Sequence, residues 1–364
     1  MAKKEKAQPR EKLSVVGGIN KYRGVIMGVA ALMIFLFHHW TVIIPSLLPN
    51  HPTLGAVSYF IVTHGHVGVD IFFLLSGIGL VWAADKSSVG RFYLRRIKRV
   101  YIPFFICYAA LFLLTGQSFL RWLQIVSGYS FLFESMYSVF WFVPAVLVLY
   151  LLFPLYNFLL KKLRFPVLVT AAVIVLWYLG SQFLPINYYY FGFYNRIPVF
   201  LIGVLLGRLE KDGKFPKSKL FYLAGPALIA LGLFTTFLVE KKGVPLLVTL
   251  PNCFIPALCL GTGTVLIIAF ILDFLHRFRI AGKAADFLSV PFAYLGKISL
   301  EFYLVQMFTV RGIIYSDRGI VSVSTGSTLG NDLLILFVAV GLSFVLATVS
   351  GLISKLIPEG RKKE

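Results

Sequence analysis

Apolar runs of about twenty residues recur along the whole chain, separated by short segments rich in Lys and Arg. A run of roughly twenty apolar residues crosses the hydrocarbon core of a bilayer as one helix. Lipid offers the backbone no hydrogen bonds, so a spanning segment must be a helix or belong to a closed barrel. These runs lack the strict alternation of barrel strands, which leaves helices. The fold class expected is all-α: a polytopic integral membrane protein. Composition agrees: 58% of residues are hydrophobic, 14% are charged, and mean hydropathy is +0.84. No polar stretch is long enough for a separate soluble domain.

About ten spanning helices are expected, near 24–48, 67–84, 100–115, 139–160, 166–184, 197–206, 220–239, 245–274, 290–315 and 332–357. Residues 117–137 are mixed and read as interfacial or re-entrant. Three units follow: a basic N-terminal segment 1–22, one transmembrane domain 23–358 and a basic tail 359–364. The N-terminal segment lacks the short apolar core and small-residue cleavage site of a signal peptide, so the first helix is expected to be retained. A net charge of +20 would raise nucleic acid as a partner for a soluble protein. Here 28 basic residues fall in segments on one side of the predicted topology and five on the other, as the positive-inside rule requires. Both termini are therefore expected in the cytoplasm, with membrane lipids and not nucleic acid as the partner of that charge. Cys107, Cys253 and Cys259 lie in apolar runs and read as small core residues, not a disulfide or metal framework.

The first run, from Tyr22-Arg23 to Phe37-His38-His39-Trp40, places two imidazoles deep in, or at the far end of, an apolar helix. An ionisable group there suggests a water-lined cavity. At 100° and 1.5 Å per residue, Arg23 and His38 lie roughly 60° apart in azimuth and about 22 Å apart along the axis. His39 turns roughly 160° away from Arg23. His38 is therefore the stronger candidate for a general base or nucleophile, His39 the weaker. The competing reading is a histidine satisfied by a neighbouring helix. Asp70 opens the next helix, where the helix dipole favours an anion; alternatively it orients an imidazole or takes a proton from an acceptor. Ser76 lies deeper in that helix, where Ser-Gly more often serves close packing.

Arg91, Arg95 and Arg99 would form one helical stripe, with Arg96 and Lys98 beside it. Guanidinium groups bind phosphate bidentately, so the stripe suits a phosphorylated cytoplasmic cosubstrate; it equally suits a membrane anchor against anionic lipid. Glu134 and Trp141 stand near the outer end of the fourth helix. Lys297 and Glu301 are spaced to pair within one helix, and Tyr303 and Gln306 follow on toward a cavity. No P-loop, HExxH, GxSxG or metal-ligand cluster is present, and His64-x-His66 is too isolated to argue for metal.

Several blocks, in order, resemble the membrane-bound acyltransferase family 3. They are the helix ending in His38, Gly68-Val69-Asp70-Ile71-Phe72-Phe73-Leu74-Leu75-Ser76-Gly77, and Phe92-Tyr93-Leu94-Arg95-Arg96-Ile97-Lys98-Arg99. Then come Phe140-Trp141-Phe142-Val143-Pro144, Arg196-Ile197-Pro198-Val199-Phe200 and Leu295-Gly296-Lys297-Ile298-Ser299-Leu300-Glu301-Phe302-Tyr303-Leu304. The resemblance implies a ten-helix core and a central first-helix histidine. It also implies acyl-CoA supplied from the cytoplasm and an acceptor outside. Where the family carries an arginine eleven residues before that histidine, this chain has Met27, and the nearest arginine is Arg23. Where the family often carries a histidine in the ninth helix, this chain has Gln306.

The function expected is a membrane O-acyltransferase, transferring acetyl from acetyl-CoA (or another acyl group from acyl-CoA) without a metal. The acceptor would be a hydroxyl of an envelope or secreted glycan, or of a lipid-linked sugar. His38, Asp70, Arg23 and His39 would form the catalytic set, and Arg91, Arg95, Arg96 and Arg99 would hold the cosubstrate. Ser76, Glu134, Trp141, Glu301, Tyr303 and Gln306 would line the cavity. The location expected is the bacterial cytoplasmic membrane. Alternatives are a transporter of a small molecule or acylated metabolite, and a structural partner in envelope-glycan synthesis. Oligomeric state is left open by the sequence.

Overall fold

The structure is a computed structural model that describes residues 14–39, 52–85, 88–134, 140–181, 191–242, 254–310 and 328–358. Among them every regular element is a helix: α1 (Val15–Lys21), α2 (Arg23–His38), α3 (Pro52–Thr63), α4 (Val67–Ala84), α5 (Val89–Arg96) and α6 (Ile102–Thr115). Then follow α7 (Phe119–Val126), α8 (Tyr129–Phe133), α9 (Phe142–Lys162), α10 (Pro166–Ser181), α11 (Phe191–Tyr194) and α12 (Ile197–Lys211). The last five are α13 (Ala224–Lys242), α14 (Phe254–Leu275), α15 (Arg279–Lys297), α16 (Ser299–Val310) and α17 (Thr328–Leu356).

Helix α4 is the hub. It packs against α2, α9, α12 and α14, and nearly every side chain from Val67 to Val81 is buried. Missing side chains make its crossings close: a Cβ on Gly203 of α12 would lie 2.3 Å from the Leu74 carbonyl oxygen, and one on Gly77 would lie 2.5 Å from that of Phe200. Small residues let helix backbones approach in this way in membranes, where lipid supplies no hydrophobic drive between helices. The periphery has the opposite character. Phe234 of α13 and Phe337 of α17 are 57% and 70% exposed, as expected of faces that meet lipid instead of water. This is a multi-pass membrane protein.

Among the described residues, six helices are long and apolar enough to cross a membrane, or eight if each of two bent pairs is one span. The expected first and ninth helices are those pairs. Residues 15–21, assigned from sequence to a polar N-terminal segment, form α1, bent 71° from α2 and buried through Val15, Val16 and Ile19. The ninth helix starts earlier than position 290 and bends 71° at Ile298, between α15 and α16. Helices α10 and α12 have 16 and 15 residues, a rise of about 22–24 Å against a core of about 30 Å. The mixed stretch after α6 contains the short helices α7 and α8.

Candidate active site

Arg23 begins α2 beside the bend from α1. Its Nη1 donates to the Leu75 carbonyl at 2.5 Å, and its guanidinium lies against Gly79, where a Cβ would come within 2.9 Å of Nη1. Arg23 thus reaches across to α4 and lines two adjoining cavities, of about 560 and 160 Å³. Ser76, Arg96 and Tyr150 line both as well. Met27, one turn along α2, lines the smaller cavity with Arg99 and Tyr303. An arginine four residues earlier than the family position therefore stands on the same helix face as Met27 and enters the same space.

Of the stripe expected, Arg95 and Arg99 border one pocket, while Arg96 beside it enters the central cavities. Residues Ile97–Tyr101 are π-helical, because Pro103 has no N–H to offer the Arg99 carbonyl that an α-turn would require. The wider turn changes the phase of Arg99 relative to Arg95 and Arg96, which precede it. Arg96 points inward, its guanidinium 5.6 Å from the Phe92 ring centroid and 5.9 Å from that of Tyr150, with Nε buried and without a hydrogen bond. Arg99 pairs with Glu301 and donates to the Lys297 carbonyl at 2.8 Å. Arg95 faces a different pocket, and Arg91 reaches Ser88 at 3.4 Å.

Glu301 is 1% exposed, and its partner is Arg99, not Lys297. The local pair read from sequence does not form, because the bend at Ile298 puts Lys297 and Glu301 on different helices; Lys297 lies over the Tyr294 ring instead.

The far end of α2 holds His38. Its side chain interacts with Gln306, which is fully buried, and its Nδ1 is buried without a hydrogen bond of standard geometry. His39 is 8% exposed and packs on Phe35, ring centroids 4.4 Å apart, as a core residue would. Asp70, fully buried, forms an ion pair with Arg196 at 2.8 Å. Arg196 begins α12 and lies 5.7 Å from the Trp141 ring centroid, so α4, α9 and α12 meet there. From sequence Arg196 stands at the head of a family block and is not among the expected site residues. The available signal was its place just before Ile197-Pro198, at the start of an apolar helix. Tyr150, which lines both cavities, is not among the site residues expected from sequence either.

Glu134 takes no part in these cavities. It is exposed and pairs with Arg121 at 2.6 Å, because α7 and α8 keep this segment at the surface. Among the described residues no group of three or more His, Cys, Asp or Glu could hold a metal ion. Cys107 and Cys259 are buried and free; Cys253 lies outside the described residues.

A cationic cavity thus lies at one end of α2 and a buried imidazole at the other. The acyltransferase domain family model matches residues 25–350. The chain belongs to this family. The acyltransferase is also similar to acyltransferase MdmB of Streptomyces mycarofaciens, with 26% identity over 71% of each chain. No solved structure matches it. It is a transferase of acyl groups other than aminoacyl groups, and the matched range takes in every helix from α3 to α16.

Proposed function

We propose that this acyltransferase moves an acetyl group from cytoplasmic acetyl-CoA to a hydroxyl of an extracytoplasmic glycan or lipid-linked sugar in the bacterial cytoplasmic membrane. The observation that carries the reading is the cavity pair lined by Arg23, Ser76, Arg96 and Tyr150. Three guanidinium groups, those of Arg23, Arg96 and Arg99, border it against one carboxylate, Glu210, and among the described residues only that of Arg99 forms an ion pair. Such a surplus of positive charge fits the phosphates of a CoA thioester. Ten spans with both termini cytoplasmic would put these arginines on the donor side and His38, about 22 Å along α2, toward the acceptor.

His38 acts as general base. Its imidazole takes the proton of the acceptor hydroxyl while that oxygen bonds to the acyl carbon; the C–S bond breaks and CoA leaves as the thiol, regaining that proton. Gln306 positions the imidazole. Asp70 holds Arg196 at the outer ends of α4 and α12. General-base removal typically costs 10²–10⁴-fold. In membranes supplied with labelled acetyl-CoA and total envelope glycan, His38→Ala should therefore lower acetyl transfer by about a hundredfold or more. Transfer retained within a few-fold would remove His38 from the mechanism.

A further inference from the structure

Turning Arg96 inward leaves a second basic face on the same segment. Arg95, Lys98 and Arg99 border a separate pocket of about 320 Å³ whose opposite wall is α17, at Ser350, Gly351 and Ser354. Arg99 alone is shared with the central cavities, and there Glu301 holds it. Among the described residues that line the pocket, Glu301 is the one carboxylate. Nε of Arg95 is buried without a hydrogen bond. Lys98 Nζ donates to the Ile357 carbonyl at 2.5 Å, which sets the pocket at the end of the apolar span Leu333–Leu356. Headgroups begin at that level of a bilayer. Around it the surface is apolar: Ile97, Leu352 and Leu356 are 45%, 57% and 81% exposed.

We propose that this pocket binds the phosphate of an anionic phospholipid from the leaflet at the arginine-rich end, its chains lying along α17. The Arg95 fork fits a phosphodiester bidentately, Lys98 adds a point charge, and Gly351 leaves room for the headgroup. A soluble phosphate shares that chemistry but has no use for the apolar surface around it, so the lipid is the occupant. The site shares only Arg99 with the central cavities, and Arg95 and Lys98 take no part in the transfer mechanism proposed above.

Native mass spectrometry of the full chain in detergent tests it, with phosphatidylglycerol and phosphatidylcholine as probes. Wild type should retain phosphatidylglycerol over phosphatidylcholine. Arg95→Gln with Lys98→Gln should weaken phosphatidylglycerol binding roughly thirtyfold, two basic residues being lost near an anionic group. Gly351→Leu, where a Cβ meets nothing within 4 Å, keeps every charge and the fold but fills the pocket; it should also release the lipid. This variant decides the matter if the double variant fails to fold. Excess glycerol 3-phosphate should not displace the lipid. Equal retention of the two lipids by wild type, wild-type binding by Gly351→Leu, or displacement by glycerol 3-phosphate would each overturn the proposal.

Discussion

Two residues show how single side chains are held in place inside this bundle. Gly79 gives Arg23 its seat on α4. Ala there would gain roughly 1 kcal/mol in helix propensity while pressing on the guanidinium. Gly79→Ala is therefore expected to melt no lower than wild type, yet to show a raised KM for the acyl donor. A lowered melting temperature with unchanged KM would contradict the seat. Asp70 is a harder constraint. Removing it takes the carboxylate from Arg196, whose side chain is 12% exposed, and breaking a largely buried pair typically costs about 3–5 kcal/mol. Asp70→Ala and Arg196→Ala should each lower the thermal midpoint sharply, and the double variant by less than their sum.

Among elements, the bent pair α15–α16 does the most to shape the site. It packs against α2 through two glycines: a Cβ on Gly28 would lie 1.9 Å from the Phe292 carbonyl oxygen, and one on Gly296 the same distance from that of Gly24. The bend after Gly296 carries Glu301 to Arg99, and Tyr303 lines the cavity beyond it. Gly28→Val must separate α2 from α15, because the obstructing atom is backbone and cannot rotate away. The expected result is loss of monodisperse protein on size-exclusion chromatography; a well-folded Gly28→Val protein would show the crossing to be looser than described. The π-helical turn before Pro103 is the second decisive element, since it holds Arg99 where it meets Glu301 and borders both the central cavity and the pocket lined by Arg95.

At the scale of the whole molecule, one end of the bundle is tied by charge. Asp85, just beyond α4, bonds to Lys161 of α9 and Lys211 of α12, with Arg208 at 3.5 Å. Partial burial pushes the Asp85 carboxyl up, but the two lysines outweigh it and draw it down to about 2. A depressed folded-state value stabilises the protein above the unfolded carboxylate range near 4, and that stability is lost as pH falls toward 2. Thermal melts of Asp85→Asn should thus lie below wild type at pH 6, with the gap closing as pH falls below about 4. A gap independent of pH would mean that the carboxylate charge does not tie these helices.

Much of this was legible in the chain itself. Long apolar runs force helices because lipid leaves the backbone no other partner, so membrane character and the all-helical class follow from the sequence alone. The ordered blocks around His38, Asp70, Arg95 and Glu301 carried the family, and the apolar surroundings of His38 marked it as unusual. Partnerships were not legible. Asp70 with Arg196, Arg99 with Glu301 and Arg23 with Gly79 join residues far apart in the chain. Helical spacing describes one straight helix at a time. It could not anticipate the bend at Ile298 or the π-turn at Ile97–Tyr101, each of which changes which neighbour a charged group meets. The sequence by itself determined the solvent the protein lives in and the class of chemistry. Which arginine faces the cavity was decided only by tertiary structure, because backbone breaks and glycine-sized gaps set the angles at which these helices meet.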